Sequence, residues 1–206
     1  MVQDDLGLDS PETEFLQGII QESQRVAEIV RNLLQFSRQE KQSFSPARIE
    51  DIVNRTVSLV RTIIKGEQIE LQIELEPELP LILCRSQQIQ QVLMNLLTNA
   101  RDALNEKFPE HHEDKRIHLC VSRQLLGEKE WVRVRVKDHG TGLTEETRQK
   151  MFEPFYSTKP REKGTGLGLS ISFGIVKDHG GLLEVHSEQD QYTQMDLYLP
   201  AAVSDE

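Results

Sequence analysis

The sequence predicts an α+β protein: a long N-terminal helix of bundle or coiled-coil type, followed by one sandwich domain of mixed helices and strands. Three observations carry that expectation. Ile19, Val26 and Leu33 recur every seven residues, and Ile29 and Phe36 form a second such row, the period of a helix seam. Beyond Phe44-Ser45-Pro46 the seven-residue rows stop, and short stretches of alternating apolar and polar residues are interleaved with amphipathic helices. Helices and antiparallel-type strands mixed in that way over about 160 residues suit one α+β sandwich. The expected division is therefore 1–44 and 45–206, with no internal repeat and no low-complexity tract.

Ser10 is a good N-cap and Pro11 fits the first helical position, where its missing N–H costs nothing. Glu12 and Glu14 suit the positive end of the helix dipole. The helix runs for roughly 30 residues, or ~45 Å. Leu16, Ile20, Ala27, Val30 and Leu34 broaden its stripe, so one helix cannot bury that face alone and a partner helix is implied. Residues 49–65 read as a helix ending near Gly66, and Ile69, Leu71, Ile73 and Leu75 as a half-buried strand. A turn follows over 76–80. Residues 87–108 form a strong helix with Ile89, Val92, Leu93, Leu96, Leu97, Ala100 and Leu104 on one face. Ile117 to Val121 and Val132 to Val136 alternate as strands. Residues 138–143 are a Gly-rich turn, 144–151 a short helix and 154–163 a mobile loop without apolar period. A helix over 167–179 stops at Gly180-Gly181, and segments 183–185 and 195–199 close the domain as a hairpin.

Composition excludes several classes. Lys and Arg number 24 against 34 Asp and Glu, a net charge of −10, and without a basic run such a chain is a poor general binder of nucleic acid. No apolar stretch approaches the ~20 residues of a membrane span. The acidic start MVQDDLGLDS is no secretory signal. Cys84 and Cys120 lie 36 residues apart, without metal-type spacing, and are expected as free thiols of a cytoplasmic protein.

Three segments carry chemistry. Asn95 and Asn99 lie one turn apart on a single helix face, with Gln91 a turn earlier. Asn is a poor helix former; a site holding a hard cation through side-chain oxygens would justify the pair, and a solvated polar face is the plainer alternative. Asp138-His-Gly140-Thr-Gly142 follows directly on a strand. Its glycines let backbone approach a flat ligand, and its carboxylate can accept from an amino group; a tight turn is the alternative. Gly164-Thr165-Gly166-Leu167-Gly168 opens a helix, where exposed N–H groups attract phosphate. It is not a dinucleotide fingerprint, for no strand leads into it, nor a Walker loop, for Lys163 precedes the first glycine.

In this order the segments resemble the N, G1 and G2 boxes of the histidine-kinase ATP-binding domain, in the superfamily shared with gyrase, mismatch-repair ATPases and heat-shock chaperones. Met151-Phe152-Glu153-Pro154-Phe155-Tyr156-Ser157-Thr158-Lys159 resembles the F box between them. The long helix, with Glu22-Ser-Gln-Arg25-Val and Asn32-Leu-Leu-Gln-Phe-Ser-Arg38, is similar to the second helix of the kinase dimerisation hairpin. The run Glu153 to Lys159 followed by Gly-Thr-Gly-Leu-Gly-Leu is most similar to the nitrogen-regulator branch. The resemblance covers residues 12 to 200 and implies a two-layer α/β sandwich of the Bergerat type. It implies that Asn99 holds Mg²⁺ on the ATP phosphates and that Asn95 supports it. Asp138 would bind the adenine amino group, with Gly140 and Gly142 shaping the base pocket. Phe152 and Phe155 would anchor a lid over 143–163. Gly164, Thr165, Gly166, Leu167 and Gly168 would wrap the phosphates, and Lys159 would reach them. Asn95 and Lys159 are the candidate catalytic groups.

Two departures matter. In the ATP-hydrolysing relatives a Glu that activates water stands four residues before the Mg²⁺ Asn; Asn95 stands there in this chain, which favours transfer over hydrolysis. The family's acceptor is a His on the first dimerisation helix, whereas His111, His112, His118, His139, His179 and His186 all fall beyond residue 44. The chain is therefore expected to be a catalytic fragment, 1–44 being a partial dimerisation region and 45–206 the catalytic domain. It would bind Mg·ATP, donate the γ-phosphoryl group to a His on another helix for relay to a response-regulator Asp, and form a homodimer through the long helix. A nucleotide-binding scaffold without transfer activity is the alternative. His111-His112 beside acidic residues is read as a solvated loop rather than a metal site, and Asp102, where other branches carry a basic residue, is not expected to contact phosphate. The 190–193 hairpin lacks its usual Gly.

Overall fold

The computed structural model describes residues 43–160 and 164–202. The N-terminal helix and its seam lie outside the described residues. Two compact units are distinguished: Ser43–Tyr156 with the chain from Gly166 onward, and a second to which Ser157–Thr165 belongs.

The first unit runs β1 (Ser45–Ala47), α1 (Ile49–Gly66), β2 (Glu70–Leu75), β3 (Ile82–Cys84), α2 (Ser86–Lys107), β4 (Arg116–Leu126), β5 (Lys129–Asp138), α3 (Glu145–Lys150), α4 (Gly168–Asp178), β6 (Leu182–Glu188) and β7 (Tyr192–Pro200). Five strands form one sheet in the order β2-β4-β5-β7-β6, and β1 pairs with β3 in a separate two-stranded ribbon. Period-2 alternation explains the large sheet. Ile117, Leu119 and Val121 of β4, Val132, Val134 and Val136 of β5, and Leu197 and Leu199 of β7 are buried in one apolar core with the helices. The intervening residues are polar. On that second face Arg135 donates to both carboxylate oxygens of Asp196, at 2.8 and 3.2 Å. A sheet with one face covered by helices is the two-layer arrangement of an α/β sandwich.

The mixed fold agrees with the expectation, with three corrections. β2 and β4 pair in parallel, Glu70 opposite Arg116 through Leu75 opposite Val121, whereas antiparallel strands were expected throughout. Alternation carries no direction, and the connection between these strands contains a whole helix, which is what a parallel pair requires. β1 and β3 were not anticipated, because three-residue strands are too short to show a period. The strands of the β4–β5 hairpin reach to Leu126 and Lys129, joined by Gly127-Glu128 with Gly127 at φ +65°, a two-residue turn that needs such a residue.

The end of α4 is fixed to the start of α2 by His179. Its Nε2 accepts from the backbone N–H of Arg85 at 3.0 Å, so Nδ1 carries the proton and donates to the Ile175 carbonyl at 2.7 Å. Burial pushes the imidazole below the usual histidine range, opposed by the Ile175 bond, with the Arg85 charge lowering it further and Asp178 raising it. The unfolded chain therefore binds a proton at higher pH than the folded one, and this residue's contribution is present above about pH 6.5 and lost as pH falls below it. Urea midpoints between pH 5 and 7.5 are expected to fall on acidification more steeply for the unmodified chain than for His179→Gln; equal slopes would contradict this assignment.

Candidate functional site

One face of α2 organises the site. The stripe Ile89, Val92, Leu93, Leu96, Leu97, Ala100 and Leu104 is buried in the core. A second row, Asn95, Asn99, Ala103 and Lys107, recurs every four residues along the same helix, and residues so spaced share a face. The Asn95 amide donates to the carbonyl of Gly168 and to Ser172 Oγ, each at 3.0 Å, while Ser172 Oγ donates to the same carbonyl at 2.8 Å. Asn95 thus fixes the N-terminal turn of α4. Asn99, one turn on, is half-buried.

Ala103 and Lys107 meet the turn that follows β5. Asp138 ends that strand, 4% exposed, and Gly140 N–H donates to its Oδ1 at 2.8 Å. A Cβ on Gly140 would lie 2.6 Å from Ala103 Cβ, so the turn packs directly on the helix and only glycine fits. Gly142 has φ +62°, and a Cβ there would run into the Glu188 carbonyl. The β6–β7 turn braces this segment: Asp190 N–H donates to the Thr141 carbonyl at 2.7 Å, and Leu143 N–H to Ser187 Oγ at 2.9 Å. Asp190 takes φ +60°, a conformation Asp tolerates better than most residues, which accounts for a hairpin without glycine. Burial raises the Asp138 carboxyl to about 7, against the lowering effects of the Gly140 N–H, the Lys107 charge and the Thr193 backbone.

The third part is the start of α4. Leu167 is buried and Gly168 begins the helix, whose first N–H groups have no intrahelical partner. Gly166, at φ +68°, accepts at its carbonyl from Phe155 N–H at 2.9 Å. The Phe152 ring is half-buried, its centroid 5.0 Å from that of Phe173. Phe155 is 67% exposed with φ +67°, and its backbone N–H makes the connection to Gly166. Lys159, Gly164 and Thr165 belong to the unit of Ser157–Thr165. Within it Lys159 N–H donates to Ser157 Oγ at 3.2 Å, and a Cβ on Gly164 would approach Lys159 Cβ to 3.1 Å.

The structure thus joins Asn95 to Gly168, Asp138 to Gly140, and Phe155 to Gly166. Sequence reasoning passed over Lys107, Ser172 and Asp190; for Lys107 the signal was present, since it continues the four-residue row of the two Asn. The donor set suits a ligand with an amino donor at one end and anionic oxygens at the other, because a buried acceptor carboxylate and the first N–H groups of a helix come from separate segments. For a cation, among the described residues no cluster of three or more His, Cys, Asp or Glu exists. Asn99 is the residue that would hold a Mg²⁺ ion, through its side-chain oxygen, a hard donor of the kind such an ion takes. His112 stacks on Phe108 at 4.2 Å and accepts from Asp114 N–H at 3.1 Å, and Asp102 pairs with Arg101 at 2.9 Å.

Residues 84–203 match the family of histidine kinase-, DNA gyrase B-, and HSP90-like ATPases. Sensor kinase CckA of Brucella abortus (strain 2308) is 33% identical over 199 residues, covering 95% of this chain and 21% of that protein. Sporulation kinase E of Bacillus subtilis (strain 168) is 29% identical over 182 residues, 88% of this chain and 23% of that one. The chain thus spans about a fifth to a quarter of these relatives' length. Among solved structures, the nucleotide-free catalytic domain of histidine kinase ThkA superposes with a TM-score of 0.65 at 26% identity, covering 78% of this chain and 97% of that one. Full-length ShkA in complex with AMPPNP gives 0.69 at 21% identity, covering 97% and 41%, a likeness of fold. The sequence match takes in Asn95, Asn99, Asp138 and the start of α4, the segments that the fold brings to one helix face, and on it this chain belongs to the histidine kinase-, DNA gyrase B- and HSP90-like ATPase family.

Proposed function

We propose that this chain is the ATP-binding catalytic part of a sensor histidine kinase, residues 45–206 forming that domain and residues 1–44 a partial dimerisation region. The observation that carries the reading is the buried Asp138 carboxylate, set beside a glycine turn that packs on the same helix as Asn95 and Asn99. Asp138 accepts from the adenine amino group, and Gly140 and Gly142 shape the turn that carries this carboxylate. The first N–H groups of α4, held by Asn95 and Ser172, bind phosphate oxygens. Gly166, Leu167 and Gly168 complete the phosphate side at the start of α4. Asn99 would hold Mg²⁺, which would supply charge neutralisation to the phosphates.

In the proposed reaction the bond from γ-phosphorus to the β-bridging oxygen breaks, a phosphorus–nitrogen bond to a histidine of another helix forms, and ADP leaves. A response-regulator aspartate is the onward acceptor, and the long helix pairs with its copy in a homodimer. Such a reaction asks mainly for positioning and charge neutralisation. Asn95 supports transfer over hydrolysis, since a carboxamide is no base for water and its nitrogen already serves α4. The nitrogen-regulator-like branch is favoured by the wording of Glu153–Lys159 and Gly164–Leu169.

Two measurements test this. Titration calorimetry with ATP and Mg²⁺ is expected to give saturable binding near one site per chain, weakened by Asp138→Asn about tenfold or more. Because the ionised carboxylate is the better acceptor and Asp138 titrates at about 7, affinity should rise with pH through neutrality and level off above it, with the rise smaller in Asp138→Asn. No binding by the unmodified chain would overturn the reading. Phosphorylation of a supplied acceptor helix separates a kinase from a scaffold. Second, Asn95→Ala removes both bonds to α4 and is expected to lower ATP affinity severalfold and stability by about 1–2 kcal/mol; unchanged affinity would remove Asn95 from the site.

A further inference from the structure

Lys107 is the last residue of α2 and the fourth member of the row Asn95, Asn99, Ala103, Lys107. Its ammonium donates to the His139 carbonyl at 2.9 Å and to the Asp190 carbonyl at 2.7 Å. The two acceptors belong to different segments, the turn after Asp138 and the β6–β7 turn. Asp190 is held at both ends of its peptide, its own N–H donating to Thr141 at 2.7 Å. One side chain therefore closes a circuit of helix, adenine-side turn and bracing hairpin. Its Nζ also lies 5.2 Å from the centroid of the Phe108 ring. A lysine at a helix C-terminus ordinarily answers its own helix's carbonyls and dipole; this one reaches past them to carbonyls 32 and 83 residues away in sequence.

The same ammonium acts on Asp138. β4 presents Ile117 and β7 presents Thr193 opposite that residue, neither charged, and α2 presents Ala103 and Lys107. Its neighbour His139 is itself held below the usual range by burial and by the Lys137, His118 and Arg116 charges, with Asp114 opposing. Lys107 supplies the cation that favours the ionised carboxyl, beside the N–H groups of Gly140 and Thr193.

We propose that Lys107 is a positioning residue of the nucleotide site, which fixes the turn carrying Asp138 against the β6–β7 hairpin and sets a positive charge near the carboxylate that meets the adenine amino group. The proposal rests on the nucleotide reading above and deepens it: Lys107 sets the pH range over which the site binds. It acts through Asp138 and touches neither the base nor the phosphates.

The test uses the full chain carrying Lys107→Met, which keeps the stem and removes the charge and donors, Lys107→Gln, which keeps a donor without the charge, and Lys107→Arg, which keeps both. The ¹³C titration of the Asp138 carboxyl in the unliganded protein, assigned with Asp138→Asn, is expected to move up by roughly half to one pH unit in the first two variants and to return in Lys107→Arg. ADP affinity at pH 7 should fall about two- to fivefold in Lys107→Met, as the lower ionised fraction dictates, with the gap narrowing at pH 9. An unmoved Asp138 titration, or a loss of affinity equal at every pH, would overturn the proposal. Failure of the unmodified chain to bind ADP at any pH would overturn the nucleotide reading and this proposal with it, while the carboxyl titration separately decides whether Lys107 acts on Asp138.

Discussion

A carboxylate buried at the end of a central strand is the constraint on which the rest of the site depends. Asp138 is 4% exposed, and no ion pair to it lies among the described residues. Burying a carboxylate is costly unless hydrogen bonds or charges replace its water. The turn after β5 is built to do that: Gly140 folds back so that its N–H meets Oδ1, and this is possible because residue 140 lacks a side chain where Ala103 stands. The small residue on α2 and the missing side chain in the turn are two halves of one contact. The compensation is incomplete, since the carboxyl is raised to about 7. A raised carboxyl is a stability cost that grows with pH between the unfolded and folded values, as befits a group kept for binding.

Much of this was legible in the residues, and the limits have physical reasons. Period-2 runs such as Val132-Arg-Val-Arg-Val136 placed β5, and the broad apolar face of α2 placed its helix, because burial of one face is written into spacing. The direction of β2 was not legible, because parallel and antiparallel strands alternate alike. Nor could spacing show that the amide of Asn95 serves Gly168, 73 residues away; a long-range bond leaves no local pattern. The Asp138 and Gly164–Gly168 segments were each weak alone and gained meaning from their order. For Phe155, 67% exposed, no local pattern shows that its backbone N–H would meet the Gly166 carbonyl.

The positive φ of Phe155 belongs to a second constraint. A non-glycine residue there carries strain of order 1–3 kcal/mol, and it persists where its surroundings over-determine it. Phe155 N–H donates to Gly166 at 2.9 Å, and a Cβ on Gly166 would run into the Phe155 backbone. Residues 155 and 166 therefore form a neck, closed by backbone on both sides. Phe152, packed on Phe173 of α4, holds the same neck from the helix side.

Charge gives the last step of the argument. A chain of net charge −10 repels a polyphosphate at long range, and that repulsion is screened beyond ~8 Å at physiological ionic strength. Recognition of such a ligand must therefore come from short-range groups. In the proposed site these are oriented dipoles at the start of α4, a cation carried in with the phosphates through Asn99, and a carboxylate aimed at the one part of the nucleotide that donates. The site is divided along α2 by sign, with acceptor chemistry at the Ala103–Lys107 end and donor chemistry at the Asn95 end. Two carboxamides, a methyl and an ammonium at four-residue intervals on one helix are enough to hold those ends apart. A nucleotide, amino group at one end and phosphates at the other, matches that polarity in only one orientation.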